Sequence, residues 1–192
     1  MKKLFFTVVA SFLALGLSAQ GLSVGIKAGV NFAGQTYSSS GFTVSPDGRT
    51  GFHAGGYVNL ALSEKLSVQP ELLYNSVGAK VGSDDIKFDY VSIPVVVKFN
   101  PTQIFNIHLG PQFGFLMSAK SGDLDVKDQT KGMDLGLASG VGVDLPMGLN
   151  FAARFILGLS NIDDSGSSSD VKVKNQVFQV SVGYRLIGAG DK

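Results

Sequence analysis

Hydrophobic and polar residues alternate along eight stretches of this chain, each about a dozen residues long. In the first stretch Val24, Ile26 and Val30 share one face, and Lys27 and Asn31 share the other. A period of two residues is typical of β-strands whose two faces meet different surroundings. The pattern predicts strands at 22–32, 52–62, 66–78, 86–99, 105–117, 133–145, 149–159 and 173–186.

The segments between these strands alternate between long and short. Residues 63–65, 100–103 and 146–148 form short turns, 79–85 is intermediate, and 33–51, 119–132 and 160–172 are long and rich in Ser, Gly and Asp. Within the first long segment, Ser45-Pro46-Asp47-Gly48 is a tight-turn signal that predicts a hairpin above the membrane. Short inner turns and long outer loops are typical of an up-and-down barrel with both termini in the periplasm.

These features predict an all-β fold, an eight-stranded antiparallel transmembrane β-barrel. A soluble barrel also alternates, but it keeps its apolar face inside. Here the polar face is mostly Gly, Ala, Ser and Asn, which suits a narrow interior, and the apolar face is bulky and uncharged. Charged residues make up 16% of the chain, below the quarter or so that is usual in soluble domains. We therefore expect the apolar face to contact lipid.

The N-terminal segment predicts export. Lys2 and Lys3 precede an apolar run that ends in Ser18-Ala19, which is the layout of a cleavable signal peptide over 1–19, followed by one barrel domain over 20–192. Without the leader, 14 basic and 15 acidic residues remain, so no nucleic-acid surface is predicted. Cysteine is absent, which excludes disulfides and thiol chemistry. The predicted location is the bacterial outer membrane.

Charged residues on the inward face are the first candidate site. The predicted lumen charge network consists of Lys27, Glu71, Lys98, Asp134, Asp144, Arg154 and Arg185. Glu71 and Arg154 lie at similar depth on the third and seventh strands, which are opposite each other in a closed eight-stranded sheet. We expect Glu71 to neutralise Arg154 with help from Lys27. Two interpretations stay open, a compensated plug and a path for protons or ions.

Aromatic residues near the strand ends predict two girdles at the membrane interfaces. The outer set is Phe32, Phe52, Tyr74, Phe115 and Phe178, and the inner set is Phe99, Phe105, Phe151 and Tyr184. The alternative is that these residues are ordinary strand formers.

Catalysis and metal binding find little support in the sequence. His53 and His108 both fall on the inward face, on strands that are not neighbours, and neither has a Ser or Asp at a triad spacing. Two histidines without cysteine make a poor transition-metal site. We predict no enzyme activity, no metal and no cofactor.

Several short motifs resemble the PorT-like outer-membrane β-barrel domain family. They are Gln69-Pro70-Glu71-Leu72-Leu73-Tyr74, Tyr90-Val91-Ser92-Ile93-Pro94, Gly140-Val141-Gly142 and Gly183-Tyr184-Arg185. The resemblance implies a small outer-membrane barrel of Gram-negative bacteria, and one branch of the family is linked to protein secretion. The chain departs from the pattern at its end, where Leu186 replaces the usual closing aromatic residue.

The leading hypothesis is a monomeric barrel with a structural or interaction role. Its surroundings are outer-membrane lipid and lipopolysaccharide, and its outer loops are expected to contact an envelope or host-surface protein. The alternative hypothesis is a secretion accessory or a conduit for small solutes, which requires an open lumen. A rim enzyme acting on lipid or peptide is the third and weakest hypothesis.

Overall fold

The structure, a computed structural model, describes residues 21–39, 42–44, 47–81, 84–122, 124–162 and 172–188. The predicted signal peptide lies outside these residues. The strands are β1 Leu22–Ser39, β2 Phe42–Val44, β3 Asp47–Ala61, β4 Leu66–Val81, β5 Asp84–Phe99, β6 Phe105–Ser121, β7 Leu124–Asp125, β8 Met133–Asp144, β9 Leu149–Gly158 and β10 Lys172–Gly188. One 3-10 turn, Lys127–Gln129, follows β7. In these parts of the chain no helix is long and apolar enough to cross a membrane.

Eight of the strands form a closed antiparallel wall. Its order is β10, β9, β8, β6, β5, β4, β3, β1, and β1 returns to pair with β10. That closing ladder runs from Ser23 opposite Gly188 to Ser38 opposite Lys172. Closure leaves no open sheet edge in the wall, which is a requirement for a sheet in lipid. The prediction of an eight-stranded antiparallel barrel is confirmed.

Five strands, β1, β3, β4, β5 and β6, extend further at the outer end than the sequence predicted, whereas β8, β9 and β10 match the prediction to within one residue. Much of the segment 33–51 is strand rather than loop, because β1 continues to Ser39 and β3 begins at Asp47. A hairpin does form there, with Ser39 opposite Phe42. Of the turn predicted at 45–48, Asp47 and Gly48 belong to β3, and residues 45–46 lie outside the described residues.

A similar extension occurs at two further outer connections. Only residues 82–83 separate β4 from β5, and β6 reaches Ser121 before the short strand β7 pairs back onto it. The reason is physical. Apolar alternation ends where lipid ends, but main-chain hydrogen bonding between neighbouring strands continues above the hydrocarbon.

The two faces of the wall differ sharply in exposure. Outward apolar residues such as Val30 and Val180 are 42% and 46% exposed, although they lie in the middle of the closing ladder. Their inward neighbours Asn31 and Gln179 are 0% and 1% exposed. The apolar side chains therefore form the outer surface, which lipid must cover, and the polar side chains fill the lumen. The predicted orientation of the two faces is confirmed.

Candidate functional site in the barrel lumen

The middle of the lumen is occupied by one carboxylate between two cations, which we call the charged clamp: Lys27, Glu71 and Arg154. Arg154 donates through Nη2 to Glu71 Oε1 at 2.8 Å and through Nη1 to Oε2 at 2.9 Å. Lys27 Nζ donates to Oε1 at 3.2 Å, and Gln69 Nε2 donates to the same oxygen at 2.7 Å. All four side chains are buried. A buried carboxylate is tolerated because paired, hydrogen-bonded cations surround it.

A chain of hydrogen bonds runs from the clamp toward the inner end. Arg154 Nε donates to His108 Nε2 at 3.3 Å, so the ring proton of neutral His108 sits on Nδ1, which donates to Asn106 Oδ1 at 3.1 Å. Asn106 Nδ2 donates to Asp144 Oδ2 at 2.7 Å, and Lys98 Nζ donates to the same carboxylate oxygen at 3.0 Å. The Asn106 amide has no titratable proton to transfer. This series of hydrogen bonds therefore favours a fixed scaffold over a proton path.

A neutral layer lies on the outer side of the clamp. This amide layer consists of Asn31, His53, Asn75, Gln179 and Ser181. Asn31 Nδ2 donates at 3.0 Å to the carbonyl groups of residues 52 and 76, which leaves Oδ1 to accept from His53 Nδ1 at 2.7 Å and from Gln179 Nε2 at 2.9 Å. Gln179 Nε2 also donates to Asn75 Oδ1 at 2.8 Å, and Ser181 Oγ donates to His53 Nε2 at 2.8 Å. The layer is buried and joins side chains of four neighbouring strands, β10, β1, β3 and β4.

The outer end of the lumen is apolar. Buried inward side chains there form a cluster that we call the apolar cap: Ala33, Val77, Phe88, Leu116, Ala119 and Val177. Val126, from the outer connection between β7 and the 3-10 turn, packs against this cluster. The lumen is therefore occupied at three levels, by the clamp, the amide layer and the cap.

The structure divides the seven predicted lumen charges. Lys27, Glu71 and Arg154 meet in the clamp, and the chain of hydrogen bonds links them to Lys98 and Asp144.

The other two charges lie apart from this network, one at each end. Asp134 accepts from Ser160 Oγ at 2.7 Å and from Asn175 Nδ2 at 2.8 Å near the outer end. Arg185 Nη2 donates to the Pro146 carbonyl at 3.5 Å near the inner end.

The nine aromatic residues assigned to the two girdles all lie on the exposed outer surface of the wall. Four of the outer set meet in pairs across neighbouring strands. The ring centroids of Phe32 and Phe178 are 6.3 Å apart, and those of Phe52 and Tyr74 are 5.6 Å apart. Exposed aromatic pairs at one end of a lipid-facing wall suit a membrane interface.

Both histidines are occupied by protein partners. His53 bonds through both ring nitrogens within the amide layer, and His108 bonds through both within the chain below the clamp. Among the described residues, no group of three or more His, Asp or Glu side chains is arranged to hold a metal ion.

The sequence did not predict the amide layer or the cap. The available signal for the amide layer was phase, since Asn31, Asn75 and Gln179 share the inward face with the charged residues. The cap gave the opposite signal, because Val77, Leu116 and Val177 put large apolar side chains at inward positions. Inward positions are expected to be polar where they line a polar lumen, so apolar residues there did not indicate that they fill the lumen.

Comparisons with known proteins place this geometry in a family. Residues 18–164 match the family described as the outer membrane protein beta-barrel domain. No curated protein matches the sequence significantly. Among solved structures, Neisserial surface protein A is similar with a TM-score of 0.57 at 20% identity, over 86% of this chain and 99% of that one.

A second similar structure is Ail, the attachment invasion locus protein of Yersinia pestis, in complex with the heparin analogue sucrose octasulfate. Its TM-score is 0.50 at 18% identity, over 87% of this chain and 99% of that one. At these identities the two structures support the fold alone, whereas the family match spans most of the 192 residues. The chain therefore belongs to the outer membrane protein beta-barrel domain family, as an eight-stranded barrel of the bacterial outer membrane.

Proposed function

We propose that this barrel is a non-conducting, non-catalytic protein that acts as a monomer and contacts an envelope or host-surface protein through its outer connections. The observation that carries the proposal is the occupied lumen. An eight-stranded barrel has an interior just wide enough for side chains to fill it. Here Glu71 and Arg154 meet across that interior at 2.8 Å, and the amide layer and the cap occupy most of the lumen on the outer side of them.

The conduit hypothesis needs an open path, which the clamp opposes. The resemblance to PorT-like barrels supplies its only support, through the link of one branch to secretion. Planar-bilayer recording of the purified barrel tests the point, with a porin in the same bilayers as the positive control. We expect no steady unitary current. Reproducible channels of uniform size would replace our proposal with the conduit.

Charge in the outer connections indicates the kind of partner. The segments 33–51, 79–85, 119–132 and 160–172 together carry six basic and nine acidic residues. A net acidic surface repels polyanions and attracts basic protein surfaces. Sucrose octasulfate is a ligand of the Ail crystal structure, and for this chain we expect it not to bind.

Photo-crosslinking on intact cells tests whether a partner protein contacts the outer connections. A photoreactive amino acid replaces the exposed Lys127 of the outer 3-10 turn, and the matched control places it at the exposed Glu64 in an inner turn. We expect a protein crosslink from position 127 that position 64 does not give. Crosslinks to lipopolysaccharide alone, or the same products from both positions, would contradict an outer protein partner.

A further inference from the structure

Between the amide layer and the apolar cap the lumen contains a small chamber. Its walls include Asn75 and Gln179 from the amide layer, Val77 and Val177 from the cap, and Gln112 from β6. The chamber offers about 30 Å³ to the centres of water-sized molecules. One bound water needs roughly 10–15 Å³ of space for its centre, so the chamber can hold about two water molecules.

Three residues that line the chamber, Asn75, Tyr90 and Gln112, each carry a buried polar atom without a hydrogen-bond partner among the described residues. Asn75 Nδ2 and Gln112 Oε1 are buried and have no hydrogen-bond partner among the described residues. Asn75 as a whole is only 3% exposed. Buried polar groups without a protein partner are costly unless water bonds to them.

The orientation of the Asn75 amide follows from its neighbours. Asn31 is oriented by two main-chain carbonyl groups, so its Oδ1 must accept and Gln179 must present Nε2 to it. The same Gln179 Nε2 donates to Asn75 at 2.8 Å, which requires Asn75 to present Oδ1 there. The amino group of Asn75 is therefore the end without a partner, and it is a hydrogen-bond donor.

We propose that this chamber is a binding site for about two ordered water molecules, which accept from Asn75 Nδ2 and donate to Gln112 Oε1. Water fits both groups because it donates and accepts. A small cation fits poorly, although the Asp134 carboxylate also lines the chamber. Both oxygens of Asp134 already accept, from Ser160 and Asn175. The amino group of Asn75 would also face a cation with hydrogen atoms. The site goes beyond the proposed interaction role and does not depend on what the outer connections bind.

Water-to-amide magnetisation transfer, measured by NMR on the full barrel in lipid nanodiscs, tests the site. We expect a cross-peak between water and the side-chain amide protons of Asn75. The internal control is Asn31, which is equally buried and whose amide protons are already donated to carbonyl groups. No water cross-peak is expected there.

Two variants probe the chamber itself. Gln112→Leu removes the acceptor, and we expect loss of the Asn75 water cross-peak. Gly114→Ala keeps both amides and adds one methyl group to the chamber wall, where its nearest neighbour would be Tyr90 Cδ1 at 3.3 Å. We expect a weaker cross-peak in Gly114→Ala. This variant provides the test if Gln112→Leu fails to fold.

Three results would overturn the proposal. The first is a folded wild-type barrel with no water cross-peak at Asn75. The second is a cross-peak of equal strength at Asn31, which means that water is not localised in the chamber. The third is a shift of the Asn75 and Gln112 resonances when sodium is exchanged for potassium, which means that a cation occupies the site.

Discussion

Glu71 on β4 and Arg154 on β9 face each other from opposite sides of the barrel, four strands apart in either direction, and two parallel hydrogen bonds of 2.8 and 2.9 Å join them. Bonds across the lumen couple walls that share no main-chain ladder. A substitution in this pair should therefore lower the stability of the whole barrel.

Removal of the acid alone should be more damaging than removal of the pair. Glu71→Ala leaves Arg154 and Lys27 buried without a counter-charge, for which a loss of about 3–5 kcal/mol in the free energy of unfolding is typical. We expect a smaller loss for the Glu71→Ala, Arg154→Ala double variant, measured by reversible urea unfolding in lipid. Strict additivity of the two single changes would show that the pair does not contribute as a unit.

Lys27 should be the most replaceable member of the clamp. Its single bond to Glu71 is 3.2 Å long, and the clamp carries two cations for one carboxylate. Lys27→Met removes the excess charge and keeps the two bonds from Arg154, so we expect a change in unfolding free energy within about 1 kcal/mol of zero. The same urea titration measures it. A loss as large as that of Glu71→Ala would mean that Lys27, rather than Arg154, is the main partner of the carboxylate.

A charged substitution on the outward face should destabilise the barrel. Val141 is 44% exposed, and we place it near the middle of the bilayer. Val141→Arg should lower the free energy of unfolding in lipid by about 2–4 kcal/mol, because no water is present to solvate the guanidinium. Val141→Leu is the matched control and should be nearly neutral. Equal tolerance of Arg and Leu would mean that lipid does not cover this face.

Two glycines on β1 should respond in opposite ways to an added methyl group. A Cβ at Gly29 would contact the Val180 carbonyl oxygen and lie 2.6 Å from His53 Cε1, in the amide layer. A Cβ at Gly34 meets nothing within 4 Å.

We therefore expect Gly29→Ala to lower the free energy of unfolding by about 1–3 kcal/mol through overpacking. Gly34→Ala should be neutral or slightly stabilising, because it restricts the unfolded chain without a clash. Thermal unfolding of the two variants side by side in the same detergent checks this order. Equal effects would contradict the close approach of β1 to His53 and β10.

Alternation along the chain was enough to predict the barrel, its eight strands and its two faces. A period of two residues is a local property of extended backbone, and a lipid-facing wall needs one uniformly apolar face. The period and the apolar face can both be recognised in a single strand, without knowing which strands lie beside it. The inner ends of the strands were predicted well for the same reason. The outer ends of β8, β9 and β10 were also predicted to within one residue, whereas those of β1, β3, β4, β5 and β6 were not, because their ladders continue after the apolar alternation stops.

Inward phase predicted seven charges for the lumen, but only the closed sheet decided which of them meet. Glu71 is 44 residues from Lys27 and 83 from Arg154, and their contact depends on strand order and register around the whole barrel. The same register leaves Asp134 and Arg185 apart at opposite ends. The amide layer and the apolar cap likewise exist only in three dimensions. Each assembles side chains from several strands, and no single strand carries enough of either to reveal it.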